Sequence, residues 1–374
     1  MLDYRIDRER SSQAHRRLIQ AYRMEPVDRV PVVEKTSVPL GYTIRQISLD
    51  EECMLRQQLA DITASSEYDT DYVPFLEPWI CVPIYAEALG AEVQFFENEW
   101  SACRPVITDD PEDVYKLRYP KPWESPLWRQ LRKTIDYFQR ETGGDLPIAA
   151  TDPQGPFTNA SLVWDTSEFF AACYTNPKEV HHLMRLLTDQ FIEYYDAQLK
   201  VIEHPAFPGH SFPLGEPGRG ISISDDNCVM VSPALFEEFN LPYLAEISEH
   251  FGGLYYHSCG KYPHMLETIL KIPKLRAINW HTGPNEMGSA SLQKVAGRCA
   301  VWTGPSLSET GWDGKMPPIE QVFEDYYIKE NMVCGGRGVI LSGYGGYTGS
   351  VGVSAAEQDR RLAKIRAIIR QYGG

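Results

Sequence analysis

Eight short apolar runs begin near residues 30, 72, 146, 211, 254, 276, 299 and 339, and stretches with helical spacing separate most of them. Strands that are apolar on both faces and alternate with helices belong to parallel sheets covered on both sides. Eight such strand–helix units predict a closed (β/α)8 TIM barrel. An open doubly wound sheet shares the alternation but needs a glycine-rich phosphate turn after an early strand. None stands there, because Val30-Pro31-Val32-Val33 runs into Glu34-Lys35-Thr36. With no internal repeat and no low-complexity linker, residues 1–374 are expected to form a single barrel domain with a short N-terminal helical extension over about 1–25. Within it, Ser232-Pro233 reads as N-cap and first position of a helix reaching Phe251, with Pro242 as a kink.

The sequence carries 36 basic and 51 acidic residues, a formal charge of -15, and no Lys/Arg run that would track a phosphate backbone. Nucleic acid is therefore not an expected partner. The eight cysteines are scattered without a C-x-x-C pair, as in a reduced, cytoplasmic protein. No apolar stretch of about 18 residues occurs, and the first residues lack the apolar segment of a secretory signal. No membrane association is expected, and the chain is read as a soluble monomer or homodimer acting on a small molecule.

In a barrel of this class the chemistry sits at the C-terminal ends of the strands. Glu34, Glu77, Gln154, Asp225-Asp226, His257, Cys259, His281, Ser306 and Tyr344 fall just past those ends, with Phe157 on the turn that follows Gln154. Of these, Glu77, Asp225 and His257 are the catalytic candidates, and Glu34, Gln154, Phe157, Ser306 and Tyr344 the substrate-binding ones. In the run Gly253-Leu254-Tyr255-Tyr256-His257-Ser258-Cys259-Gly260, period-two alternation sends His257 and Cys259 to one side and Ser258 to the other. An imidazole and a thiol facing one place are soft metal ligands, and His281 at the end of the next run is the candidate third ligand of a catalytic zinc. The same pair also reads as a buried thiol beside a backbone-bonded histidine. Asp225 and Asp226 read equally as caps of the helix near Ser232, and Gly343-Tyr344-Gly345-Gly346-Tyr347 as an anion cradle or as a tight turn.

Gln154-Gly155-Pro156-Phe157-Thr158-Asn159-Ala160, Asn176-Pro177, Val231-Ser232-Pro233 and His257-Ser258-Cys259-Gly260, in this order and spacing, resemble the uroporphyrinogen decarboxylase superfamily. The resemblance implies a (β/α)8 barrel and one of two chemistries. One is decarboxylation of a porphyrinogen without cofactor; the other is zinc-dependent methyl transfer between a corrinoid protein and a small acceptor. The arginine-bearing segment of the decarboxylases is replaced here by Val32-Val33-Glu34-Lys35-Thr36, and Glu77 stands where they carry an aspartate. His257-Ser258-Cys259 matches the His-x-Cys of the methyltransferases, whereas Tyr344 falls where their third ligand, a cysteine, would be. The resemblance thus implies a corrinoid-linked methyltransferase with zinc on His257, Cys259 and either His281 or a carboxylate such as Glu77. A decarboxylase of altered specificity and a non-catalytic small-molecule-binding barrel are the alternatives.

Overall fold

A computed structural model describes residues 3–283, 286–305 and 334–342, with residues 321, 324, 328, 329, 360, 363, 364 and 367 besides. Ser306, Tyr344 and the Gly343–Tyr347 loop lie outside the described residues. The strands are β1 (Val32–Val33), β2 (Glu92–Gln94), β3 (Ala102–Arg104), β4 (Ile221–Ser224), β5 (Leu254–His257), β6 (Leu275–Thr282), β7 (Ala300–Pro305) and β8 (Val339–Ser342). Six of them form one parallel sheet in the order β1-β8-β7-β6-β5-β4, while β2 and β3 pair as a separate antiparallel hairpin.

Short extended segments join the two edges of this sheet and close the barrel. Asp71 N–H donates to Val32 O, and Leu76 and Ile148 form a parallel bridge. At the C-terminal end, Gly155 N–H donates to Ser224 O and Ser224 N–H to Pro153 O. At the other end a wedge of chain intervenes, with Ile148 bridged to Pro205 and Ser222 N–H bonded to Pro208 O. The staves are thus 32–33, 71–76, 146–155, β4, β5, β6, β7 and β8, which is the (β/α)8 architecture that the alternation predicts.

One stave falls elsewhere than its apolar run suggests. The run near 211 is a turn, and the strand is Ile221–Ser224. Residues 207–215 fold back on themselves, with Gly215 N–H bonded to Phe207 O. Phe212 and Leu214 are apolar because they fill the barrel, packing with Tyr255, Ala277, Ala300 and Ile340. Four alanines at 149, 206, 277 and 300 belong to this inner cluster, and their small side chains leave the room that Tyr22, Phe212 and Tyr255 occupy.

Helix α1 (Arg8–Tyr22) starts at an Asp7 N-cap and supplies Ala14, Leu18, Ala21 and Tyr22 to the same inner cluster. It is held across the N-terminal end of the barrel by Asp71, which is fully buried. The Asp71 carboxylate accepts from Arg17, from Arg29 (2.5 Å) and from the Val32 N–H (2.8 Å). A second, larger core lies between the outer faces of the strands, including Ile221, Ile223, Leu254 and Tyr256, and the surrounding helices. The expected helix from Ser232 is broken in two at Asn240, giving Pro233–Phe239 and Leu241–Phe251, with Ser232 Oγ capping the first. Among the described residues, no helix is long and apolar enough to cross a membrane.

β4 and β5 start from a close backbone approach that only glycine allows. A Cβ on Gly220 (φ +124) would stand 2.4 Å from Gly253 O, and one on Gly253 (φ +149) 2.6 Å from Arg276 Nε. This contact sets β5 in register with β4 so that Ser224 pairs with His257.

Candidate metal and acid site at the barrel mouth

The side chains that face the barrel interior follow from the strand period. Tyr255 points into the inner cluster, so His257 and Cys259, two and four residues on, continue the same face. On β6, Ala277 is inside, and Asn279 follows it opposite His257. On β4, Ile221 and Ile223 are outside, which turns Ser222 and Ser224 inward ahead of Asp226.

His257 is set by its neighbour. Asn279 Nδ2 donates to Trp302 O at 2.9 Å, which orients the amide so that its Oδ1 faces His257 Nδ1 at 2.5 Å. His257 therefore carries its proton on Nδ1 and presents the Nε2 lone pair to Cys259 Sγ, 3.2 Å away. Asp226 completes the group: its Oδ1 is 3.9 Å from His257 Nε2 and accepts from the Cys259 N–H at 2.8 Å. Ligand-capable atoms of Asp226, His257 and Cys259 all lie within 4.8 Å of one another.

Burial pushes the His257 imidazole down to about 4, against the pull of Asp226 and Asn279, so it is neutral at pH 7. Burial, with the Asp226 carboxylate beside it, pushes the Cys259 thiol up to about 12. A neutral imidazole, a carboxylate and a thiol that only a bound cation would ionise are the ligand chemistry of a zinc site. Asn279 behind the imidazole is the outer-sphere partner such a ligand requires.

A second group lies next to the first around the mouth. His210, on the turn where the inner hairpin begins, meets Glu77 at the end of the second stave, with Nδ1 2.5 Å from Oε1. Its Nε2 is 3.7 Å from Asp152 Oδ1 at the end of the third stave. Asp152 is buried and accepts from Trp79 Nε1 at 3.2 Å and from Gln154 Nε2 at 3.1 Å. Burial opposes the charge on His210, but the two carboxylates and the Glu77 hydrogen bond prevail and raise it to about 9. Burial raises Asp152 above the ordinary carboxylate range.

The remaining expected site residues are distributed as follows. Asp225 is fully buried under the mouth, its carboxylate taken up by Tyr256 (2.8 Å), Asn240 (2.6 Å) and Thr158 (3.3 Å). Burial, partly offset by these donors, pushes it up to about 6. Glu34 is 1% exposed at the end of β1. Gln154, 3% exposed, keeps one buried amide oxygen without a hydrogen-bond partner among the described residues. Phe157, expected beside substrate, is 0% exposed and packs on Phe169 at 5.1 Å. The helix from Pro156 turns its ring outward into the core.

His281, the expected third ligand, does not join the Asp226–His257–Cys259 group. It follows Asn279 by two residues on the same strand, one step further out, and is not among the atoms that meet within 4.8 Å. Glu77 is paired with His210 instead of joining that group. Asp226 is the third ligand-capable residue of the group, reached by continuing past Ser222 and Ser224, which turn inward on β4. His210 carried no comparable local signal, since it reaches the mouth only through the folded-back hairpin.

Fold and site together define an α/β-barrel protein with an imidazole, thiol and carboxylate cluster at its C-terminal mouth. The family described as Uroporphyrinogen decarboxylase (URO-D) matches residues 13–202, and the chain belongs to that family. The uroporphyrinogen decarboxylase of Xanthomonas campestris pv. campestris is 25% identical over 253 residues, covering 62% of this chain and 64% of the relative. That of Aromatoleum aromaticum is 22% identical over 188 residues, covering 49% of this chain and 47% of the relative. The chain thus spans less than two thirds of the length of the curated relatives it matches. A solved methyltransferase from Methanosarcina mazei shares the fold with a TM-score of 0.69 at 16% identity, over 96% of this chain and 99% of the other.

Proposed function

We propose that the protein is a corrinoid-linked methyltransferase that moves a methyl group between a small substrate or acceptor and the corrinoid of a separate protein. The observation that carries the reading is the meeting of His257 Nε2, Cys259 Sγ and an Asp226 oxygen at one point of the mouth. Three protein ligands and a fourth position left for substrate are the pattern of a catalytic zinc. Zinc held there would act as a Lewis acid and lower the pKa of a thiol or hydroxyl group bound to it. The fold shared with the methyltransferase from Methanosarcina mazei supports the same reading.

The chain's own residues prepare that site. Asn279 holds the His257 ring and Asp226 fixes the Cys259 backbone. Asp225, bonded to Tyr256 and Asn240, supports β5 from beneath and serves as a positioning residue. Glu77 stands at the mouth as a positioning carboxylate bonded to His210, with Gln154 and Glu34 as substrate-side groups. X-ray absorption on zinc-loaded protein is expected to show one sulfur with nitrogen and oxygen neighbours. A two-sulfur spectrum, or no tight zinc at all, would rule the site out as drawn.

A second reading, a carboxy-lyase of altered specificity, is favoured by the names of the curated relatives. A polycarboxylated tetrapyrrole needs cationic partners such as paired arginines, and among the described residues the mouth places Glu77, Asp152 and Asp226 around the His210 imidazolium. Titration with uroporphyrinogen or coproporphyrinogen is therefore expected to show no binding at micromolar concentration. Micromolar binding with release of carbon dioxide would establish the second reading over the first.

A further inference from the structure

The Glu77–His210–Asp152 group takes no part in the metal cluster, yet it is built at the same mouth. Its members close three neighbouring parts of the barrel, ahead of Asp226 just past β4 and His257 at the end of β5. The groups are near enough for Asp226 to help hold the His210 charge and for His210 to help depress His257.

The two ring nitrogens of His210 differ in what they meet. Nδ1 is anchored on Glu77 at 2.5 Å. Nε2 faces Asp152 at 3.7 Å, beyond hydrogen-bond reach, so an imidazolium here keeps one N–H undelivered. Beside it, the Gln154 amide donates to Asp152 and leaves its own buried oxygen without a partner among the described residues. A free N–H and a free acceptor, both next to Asp152, fit a ligand that brings a heteroatom with a lone pair and, on losing a methyl group, gains a hydrogen. A carboxylate that anchors one nitrogen of an imidazole while the other faces substrate is a recurrent acid–base arrangement.

Resting on the methyltransferase reading, we propose that His210, anchored by Glu77 and flanked by Asp152, is the acid that protonates the heteroatom from which the methyl group departs. In that step the bond from methyl carbon to heteroatom breaks, and both electrons stay on the heteroatom. The methyl carbon bonds to the two-electron nucleophile, the cobalt(I) of a corrinoid. The Nε2 proton of His210 passes to the heteroatom, and solvent returns a proton to the imidazole. A methyl compound whose leaving atom would otherwise depart as an anion gains most from such a donor.

The test uses the zinc-supplemented protein, free cob(I)alamin as acceptor, and aryl methyl ethers whose phenols span a wide range of acidity. His210→Gln is expected to slow methylcobalamin formation on the order of 100-fold with the least acidic phenol and by less than about threefold with the most acidic. Glu77→Gln, which keeps the imidazole but removes its anchor, is expected to show the same trend with a smaller slope, and it carries the test if His210→Gln fails to fold. Independently of activity, the histidine NMR resonance absent from His210→Gln is expected to titrate near 9 in the wild type and to fall toward the ordinary value of about 6.5 in Glu77→Gln.

An equal loss across all ethers, or a His210 resonance titrating near about 6.5 in the wild type, overturns the acid role while leaving methyl transfer standing. No methylcobalamin from any ether with the wild type overturns the methyltransferase reading and the acid role with it.

Discussion

Cys259→Ser, purified after growth in zinc-replete medium, is expected to hold less than about 0.1 zinc per chain where the wild type holds about one. The substitution removes the sole sulfur of the Asp226–His257–Cys259 group, and a neutral serine hydroxyl is a poor zinc ligand. Methyl transfer should fall with the metal. Asn279→Ala should behave differently, because it leaves all three ligand atoms in place and removes only the acceptor that holds His257 Nδ1. A loss of about 10- to 100-fold in zinc affinity at unchanged stoichiometry is expected. Cys53→Ser, on the helix Glu51–Ser65, should change neither quantity. Plasma emission analysis and a competition titration with a chelator read both. Full zinc content in Cys259→Ser would remove the thiol from the site.

Asp71→Ala is expected to be the most destabilising single substitution of those considered, at about 3–5 kcal/mol. Asp71 has no exposed side-chain surface and joins three elements: Arg17 of α1, Arg29 ahead of β1, and the Val32 N–H of β1 itself. Its removal leaves two guanidinium groups partly buried without their partner and a strand N–H without an acceptor. Arg17 retains Asp28 at 2.6 Å, so the loss should fall mainly on Arg29 and Val32. The midpoint of urea unfolding checks this. A shift equivalent to less than about 1 kcal/mol would mean that α1 is held by its other contacts, such as His15 on Gly215 O and Tyr22 on Pro213 O, without Asp71.

The barrel was legible where its strands are apolar runs, as in Leu254-Tyr255-Tyr256 of β5, all buried, and β4, Ile221-Ser222-Ile223-Ser224, escaped because half of its buried residues are polar. The same signal misled at residue 211. A hairpin that fills the inside of a barrel needs apolar residues for the same reason a strand does, and periodicity cannot separate Phe212 and Leu214 from a stave. His257 and Cys259 could be paired from sequence because a strand fixes their common side. Asp226 was accessible to the same argument, but Asp225 beside it offers identical chemistry, and only burial tells them apart: Asp225 is enclosed by Tyr256 and Asn240, whereas Asp226 faces the mouth. Phe157 shows the converse, a residue in a motif that resembles a known family but whose ring serves packing. His210 meets Glu77 across 133 positions of sequence, and no local pattern announces a contact of that separation.

The folded-back segment 207–215 also fixes how deep the mouth can be. Phe212 meets Tyr255 edge-on at 5.6 Å, two residues before His257 on β5, and Trp302 at a tilt at 5.7 Å, in register with Asn279. The barrel therefore has a raised floor below the Asp226–His257–Cys259 group. In the proposed methyl transfer, whose second participant would be a cobalt atom carried on another macromolecule, shallowness would be an asset: the methyl carbon would stay within reach of a large, rigid ring that could never descend a barrel axis. Lowering that floor, as Phe212→Ala would, gives substrates a place to sink out of range.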